Sequence, residues 1–163
     1  MSVCAEQVHV QAADLLPRPE AFLHLVDRQR VSYTFAPDFF LASLNRALEM
    51  PNTLIKQWDF SCLRACVSGG EANVVETARA LVEIAIMFGA PPDFIRPGFG
   101  MTETCAGCIY NNEFSQVDEG RDFASLGTCI SGLDMRVMLD NESLAGPNSV
   151  GSLQLKGSTI FSE

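Results

Sequence analysis

Short β-branched or aromatic runs alternate with longer stretches of helical spacing, and this alternation limits the possible fold more than any other feature. Strands are expected at residues 8–10, 30–35, 63–67 and 95–97, with helices between them at 20–28, 39–50 and 73–88. Successive strand–helix–strand units favour right-handed crossovers and a mostly parallel sheet with flanking helices. After residue 125 the pattern is that of half-exposed antiparallel strands, at 133–139 and 150–156. The predicted fold class is therefore α/β, followed by a short antiparallel β segment.

A polar segment at 111–123 separates the two patterns and predicts a division of the chain. Residues 1–112 would form the α/β subdomain, and residues 113–163 a mainly β segment. A chain of 163 residues is long enough to bury a sizeable core.

The charge balance excludes several function classes. Eleven Lys and Arg against twenty Asp and Glu give a net charge of −9, which disfavours binding to nucleic acid or an anionic membrane. No apolar run reaches the roughly 18 residues of a membrane helix, and the first residues lack the basic flank of a secretory signal. We therefore expect a cytoplasmic protein with no nucleic-acid partner and no membrane span.

The cysteines allow two interpretations. Cys62 and Cys66, and likewise Cys105 and Cys108, have spacings that zinc sites use. The alternative is reduced, buried thiols, because Cys behaves as a small hydrophobic residue. Cys66 lies inside the apolar run LRACV and none of the four lies in a Gly-rich zinc knuckle, so the surroundings favour thiols.

Two glycine-rich segments follow predicted strands, SGGE at 68–71 and GFGMTET at 98–104. In a parallel sheet, loops at the carboxyl ends of strands line the ligand crevice. Glycines allow close approach of backbone to ligand, hydroxyls can donate to phosphate oxygens, and a nearby carboxylate can hold Mg²⁺ together with phosphates. From the residues alone, a nucleotide site and ordinary turns both remain open.

GFGMTET resembles the Tyr-Gly-x-Thr-Glu signature of the adenylate-forming, or AMP-binding, superfamily. That superfamily includes acyl-CoA synthetases, fatty acyl-AMP ligases and the adenylation domains of peptide synthetases. Four more segments follow in the family's order: RVSYTFAPDFFLASL (30–44), LRACVSGGEA (63–72), LGTCISGLDMRVMLD (126–140) and VGSLQLKGSTIF (150–161). The sequence APDFF at 36–40 is most similar to the corresponding segment of fatty acyl-AMP ligases and of ligase domains attached to polyketide or peptide synthases. The chain thus resembles the central part of the family's large N-terminal domain, so that residues 1–112 would carry its adenine-binding loops and residues 113–163 would form the start of its β-barrel-like subdomain.

The resemblance implies catalytic roles for two residues. Thr102 matches the residue that contacts the α-phosphate, and Glu103 matches the Mg²⁺ ligand. Phe99 matches the aromatic residue that stacks on adenine, where most members have Tyr. Thr104 is expected to be a turn residue.

The resemblance also implies which residues surround the ligand. Gly69, Gly70 and Glu71 match the loop that forms one wall of the adenine pocket. The neighbours of Phe99 would lie along the acyl pocket, with Asp38 near its far end; these neighbours are Gly98, Gly100 and Met101.

The implied reaction has two halves. A carboxylic acid and ATP give an acyl-adenylate and pyrophosphate, and a thiol of CoA or of a phosphopantetheine carrier protein then takes the acyl group. The implied cofactors are ATP or AMP and Mg²⁺, which would offset charge on the α-phosphate. The implied partners are the acid, the acceptor thiol and the remaining subdomains of the ligase.

The family's phosphate loop, ribose-binding Asp and C-terminal catalytic Lys are not found in the sequence, and CISG at 129–132 lacks the usual Pro. We therefore expect a fragment of an AMP-forming ligase that is inactive by itself. The alternative is a non-catalytic binding or interaction module derived from an adenylation domain, its apolar surface covered by a partner or in a homodimer. A third interpretation is a similar sheet without any ligand.

Overall fold

A computed structural model describes residues 5–49, 57–114 and 118–160. The helices are α1 (Ala12–Leu15), α2 (Glu20–Arg28), α3 (Asp38–Leu48) and α4 (Val75–Ile86). The strands are β1 (Tyr33–Phe35), β2 (Ala65–Ser68), β3 (Ile95–Gly100), β4 (Gly107–Tyr110), β5 (Thr128–Cys129), β6 (Leu133–Met138) and β7 (Ser152–Gly157). A 3₁₀ turn, Thr102–Thr104, joins β3 to β4.

Strands β1 to β5 form one sheet in sequential order, and β6 and β7 form a separate hairpin. β1, β2 and β3 are parallel, whereas β4 and β5 are each antiparallel to the preceding strand. Helix α3 connects β1 to β2, and α4 connects β2 to β3, as the strand–helix alternation predicts. The α/β fold class is therefore confirmed, with the parallel part restricted to three strands.

The main core lies between the parallel strands and helices α2, α3 and α4. Helix α3 contributes Phe40, Leu41 and Leu44 at helical spacing, and each such side chain stabilises the fold by about 1.5–3 kcal/mol on full burial. On the sheet side, Cys66 of β2 faces this core. Because successive side chains of a strand point to opposite faces, Val67 faces away from the helices and toward the site described below.

Some predicted elements differ from the structure. Residues 8–10 form no strand, and Val8 and Val10 are exposed, since no neighbouring strand pairs with this segment. Helix α3 begins at Asp38, directly after Pro37 and one residue before the predicted start at residue 39. The predicted final residue of that helix, Met50, lies outside the described residues. The segment GFG at 98–100, expected to be a loop, continues strand β3.

The division of the chain at residue 112 stays a proposal. Strand β5 joins the first sheet from beyond that boundary, and residues 118–124 pack back onto the start of α4 through the bridge between Val74 and Phe123. Among the described residues, no helix has both the length and the apolar character needed to cross a membrane.

Candidate functional site

The two glycine-rich segments meet at the carboxyl ends of β2 and β3 and line one cleft of about 520 Å³. Several of the predicted site residues line it: Gly69, Gly70, Gly98, Phe99, Gly100, Met101 and Thr102. Glu71, Glu103 and Asp38 lie outside that lining. The parallel arrangement of β2 and β3 accounts for the meeting, because both strands end at the same edge of the sheet.

The SGGE segment at 68–71 packs directly against β3 and leaves no space for a side chain at Gly69. A Cβ on Gly69 would lie 2.5 Å from the carbonyl oxygen of Gly98. Gly70 has φ +86°, in the left-handed region that glycine adopts without steric cost. These two glycines therefore expose backbone rather than side chains to the cleft.

Tyr110 forms part of the cleft opposite this loop. It pairs with Gly98 across β3 and β4, and a Cβ on Gly98 would lie 2.8 Å from the Tyr110 ring. A Cβ on Gly100 would collide with the carbonyl oxygen of Ala106, where the register shifts between Phe99 and Gly100. The glycines of β3 thus allow β4 and its aromatic ring to approach closely.

Thr104 holds the turn that presents the second segment. Its side chain is buried, and its hydroxyl accepts a hydrogen bond from the Met101 amide at 3.1 Å and donates to the Ala106 carbonyl oxygen at 2.7 Å. Cys105 then leaves the turn with φ +61°. Because Thr104 is directed inward, Thr102 and Glu103 are exposed at the mouth of the cleft.

Glu71 is directed away from the cleft and toward helix α3. Its Oε1 accepts a hydrogen bond from the Phe39 amide at 2.9 Å. Asp38, which is buried, accepts a hydrogen bond from the Val74 amide at 2.9 Å through Oδ1. Burial raises the pKa of Asp38 and the negative charge of Glu71 raises it further, while the Val74 hydrogen bond opposes both effects. The structure therefore places these two acids between α3 and α4.

The family model described as AMP-binding enzyme matches residues 2–163. The chain belongs to the AMP-binding enzyme family. Its sequence is 50% identical over 167 residues to the nonribosomal peptide synthetase acyN of Ascocoryne sarcoides, a match that covers 100% of this chain and 18% of that protein. The chain therefore spans less than a fifth of the length of this relative.

Solved structures support the same membership. The structure of McyG A-PCP complexed with phenylalanyl-adenylate matches with a TM-score of 0.88 and 28% identity, over 95% of this chain and 28% of that one. The adenylation domain of a keto acid-selecting NRPS module, bound to keto acyl adenylate, matches with a TM-score of 0.80 and 25% identity, over 92% and 31%. The resemblance to the adenylate-forming superfamily, and to part of its large domain, is confirmed.

The chemistry of Glu103 fits the cation expected in an AMP-binding enzyme. Its exposed carboxylate makes no hydrogen bond or ion pair with any residue that the structure describes. In the described ranges, no group of three or more His, Cys, Asp or Glu residues is arranged to hold a metal ion by protein ligands alone. Mg²⁺ is commonly held by one or two carboxylates together with substrate phosphates, which one free carboxylate beside this cleft allows.

The structure does not support a zinc site at the cysteines of this member of the AMP-binding family. Cys62, Cys66, Cys105, Cys108 and Cys129 are free thiols. Burial raises the pKa of Cys66 to about 12, and in the part of the chain that the structure describes these thiols do not belong to any group of three or more His, Cys, Asp or Glu residues that could hold a metal ion.

Six residues that line the cleft are not predicted by the sequence pattern. Three lie in the turn after Thr104 and at the start of β4, namely Cys105, Ala106 and Gly107, and three lie within strands, namely Phe35, Val67 and Tyr110. Side chains of a strand alternate between its two faces, and alternation does not show which face carries the ligand. The glycines of β3, Gly98 and Gly100, are a sequence signal for the position of Tyr110. A strand with glycines allows a large aromatic ring of the neighbouring strand to pack over its backbone.

Proposed function

We propose that this chain forms the central nucleotide- and acid-binding part of an adenylating unit in an enzyme of the nonribosomal peptide synthetase type. The observation that carries the proposal is the cleft itself. It combines exposed glycine backbone, the half-buried ring of Phe99 and the hydroxyl of Thr102 at one edge of the sheet, with Glu103 adjacent. The adenylate bound in the similar McyG structure and the similarity to a nonribosomal peptide synthetase support the same chemistry.

In the proposed reaction, a carboxylate oxygen of the acid attacks the α-phosphorus of ATP, and the bond from that phosphorus to pyrophosphate breaks. Phe99 stacks on the adenine, the backbone at Gly69 and Gly70 borders the base, and Thr102 donates to an α-phosphate oxygen. Glu103 would hold Mg²⁺, which would offset the negative charge of the phosphates. Donors fixed before the reaction stabilise the developing charge without reorganising.

A carrier-protein thiol is the proposed acceptor in preference to CoA. The support is that the curated relative is a nonribosomal peptide synthetase and that the matching McyG structure comprises an A-PCP pair. The acid, the carrier protein and the other parts of the synthetase are accordingly the proposed partners.

The 163-residue chain by itself is expected to bind nucleotide without turning it over. It covers 18% of the length of acyN, so we propose that the other phosphate and ribose contacts come from elsewhere in the synthetase. Each missing donor of that kind costs about 3–4 kcal/mol of transition-state stabilisation. Pyrophosphate exchange catalysed by the purified chain with any carboxylic acid would contradict this expectation.

One observation favours the non-catalytic alternative. Tyr33 and Phe35 of the edge strand β1 are exposed, on the sheet face opposite the helices. Parallel sheets are normally covered on both faces, so this face is suited to contact with other protein. Because Phe35 also lines the cleft, a protein partner bound to that face would cover the cleft and leave it without nucleotide.

The test is a titration of the isotopically labelled 17.7 kDa chain with AMP, followed by the amide NMR signals of Gly69, Gly70, Phe99 and Gly100. We expect these signals to move together, Phe99→Ala to weaken AMP binding and Phe99→Tyr to preserve it. Phe123→Ala is the control, because it removes the same aromatic ring at an exposed position outside the cleft lining. Unchanged cleft signals in a folded, monodisperse protein would refute the nucleotide site and favour the interaction module.

A further inference from the structure

We propose that Asp38 and Glu71 are positioning residues that hold the glycine loop at the cleft. The Asp38 carboxylate caps the start of α4, and the Glu71 carboxylate caps the start of α3. Asp38 belongs to the first turn of α3, and its carboxylate accepts from Val74, immediately before α4. Glu71 belongs to the loop before α4, and its carboxylate accepts from Phe39 in the first turn of α3. The proposal rests on the nucleotide site proposed above.

Neither helix is capped by its own side chain. The residues at the two cap positions, Pro37 before α3 and Val74 before α4, make no side-chain capping hydrogen bond. The first N–H groups of a helix have no partner within it, and carboxylates are favoured there by hydrogen bonding and by the helix dipole. The reciprocal bonds therefore satisfy both helix starts with acids that are 33 positions apart in sequence.

The bond of Glu71 to α3 determines where the preceding glycines lie. Gly69 has no room to move toward β3, because its Cα already faces the carbonyl oxygen of Gly98. On the other side, Glu71 anchors the loop to Phe39. A third bond, from Nδ2 of Asn73 to the Ser68 carbonyl oxygen at 3.2 Å, closes the loop across its base. Gly70, with its φ of +86° and no atom within 4 Å of a Cβ position, is the part of the loop left free to approach a ligand.

The carboxylates of Asp38 and Glu71 are close enough to repel each other. A hydrogen-bond donor at each carboxylate offsets this repulsion. The bond from Val74 to Asp38 and the bond from Phe39 to Glu71 supply those donors at two different helix starts. Loss of either bond leaves a helix start unsatisfied and removes one of the constraints on the glycine loop. A role of Glu71 in binding the base directly would instead require its carboxylate to line the cleft, whereas it is bonded to α3.

The test compares Glu71→Ala, Glu71→Gln and the control Glu76→Ala in the complete 163-residue chain. Gln retains an acceptor oxygen for the Phe39 amide, and Glu76 is an exposed acid of the first turn of α4 whose loss changes the charge equally. In Glu71→Ala we expect faster exchange of the Phe39 amide proton, displaced Gly69 and Gly70 signals and AMP binding weaker by about fivefold, the size of one lost capping bond. Glu71→Gln and Glu76→Ala should resemble the unmodified chain in all three measurements.

Two results would overturn the proposal. One is a Glu71→Ala variant whose Phe39 and Gly70 signals match those of the unmodified chain. The other is a Glu71→Gln variant that loses AMP affinity while those signals stay in place, since that would assign the charge of Glu71 to ligand binding. The amide measurements need no nucleotide, so absence of AMP binding by the unmodified chain refutes the proposed function and still leaves the capping role tested.

Discussion

Gly69 and Gly98 are in backbone contact at the edge of the cleft, where a Cβ on Gly69 would stand 2.5 Å from the carbonyl oxygen of Gly98. This contact places the loop after β2 directly beside the last residues of β3. The two glycine-rich segments therefore form one continuous surface of the cleft. The shape of that surface depends on the close approach of the Gly69 and Gly98 backbones, which leaves no space for a side chain at Gly69.

Gly69→Ala is expected to separate these two segments. The added methyl meets backbone that has no rotamer to yield, so we expect the free energy of unfolding to fall by about 1–3 kcal/mol and AMP binding to weaken. Urea denaturation and an AMP titration measure the two effects. Gly146→Ala is the control, because its Cβ would have only the Ser149 hydroxyl oxygen, at 3.9 Å, within reach, and its effect should stay within about 0.5 kcal/mol. Equal stability of the two variants would contradict the contact.

The sequence pattern predicts correctly those elements whose packing depends only on the local spacing of apolar residues. Helical spacing of the apolar residues predicts a helix at 20–28, and α2 occurs at Glu20–Arg28. The hairpin strands predicted at 133–139 and 150–156 occur as Leu133–Met138 and Ser152–Gly157, since their alternation suits one half-exposed sheet. The segment at 8–10 has the same alternation but no partner strand, and alternation alone forms no sheet.

The site was predictable in outline for a different reason. The glycine segments follow parallel strands, and strand direction alone brings their loops to one edge of the sheet. The orientation of Glu71 was not predictable, because its partner Phe39 lies 32 residues away and is reached only after the strands pair. The same holds for Tyr110, whose position over Gly98 depends on the antiparallel register of β3 and β4.

Thr104→Val is expected to loosen the turn that carries Thr102 and Glu103. Valine keeps the shape of threonine but removes the hydroxyl that accepts from the Met101 amide and donates to the Ala106 carbonyl oxygen. We expect a loss of about 1–2 kcal/mol in the free energy of unfolding and displaced amide signals at Thr102 and Cys105. Thr104→Ser keeps the hydroxyl and should retain those signals. If Ser and Val behave alike, the hydroxyl bonds do not hold the turn.

Asp38→Asn is expected to change how stability depends on pH. The pKa of Asp38 is raised in the folded chain above its ordinary value of 3.8, first by burial and also by the charge of Glu71. Folding therefore favours the protonated acid, and the stability that Asp38 contributes is present below the ordinary value and is lost as pH rises through the raised value. Asparagine keeps an acceptor for Val74 and does not titrate in this range. Urea denaturation at pH 3.5 and pH 7 should show the unmodified chain losing stability relative to Asp38→Asn as pH rises, and a constant difference would contradict the raised pKa.

Glu103→Gln distinguishes a cation ligand from a general contribution of charge. The chain has a net charge of −9, so neutralising any one carboxylate should slightly favour binding of a polyanion such as ATP. If Glu103 holds Mg²⁺, the opposite should occur: ATP with Mg²⁺ should bind about tenfold more weakly, as expected for one lost contact to a charged group, while AMP without Mg²⁺ binds as before.

The matched control for that measurement is Glu83→Gln, which makes the same change of charge on an exposed residue of α4 remote from the cleft. Calorimetric titrations of both variants and of the unmodified chain with AMP, and with ATP plus Mg²⁺, give the six affinities needed. A loss confined to Glu103→Gln with ATP and Mg²⁺ assigns the cation to Glu103. An equal response of the two variants would show that Glu103 acts only through the overall charge and would refute its proposed role as the Mg²⁺ ligand.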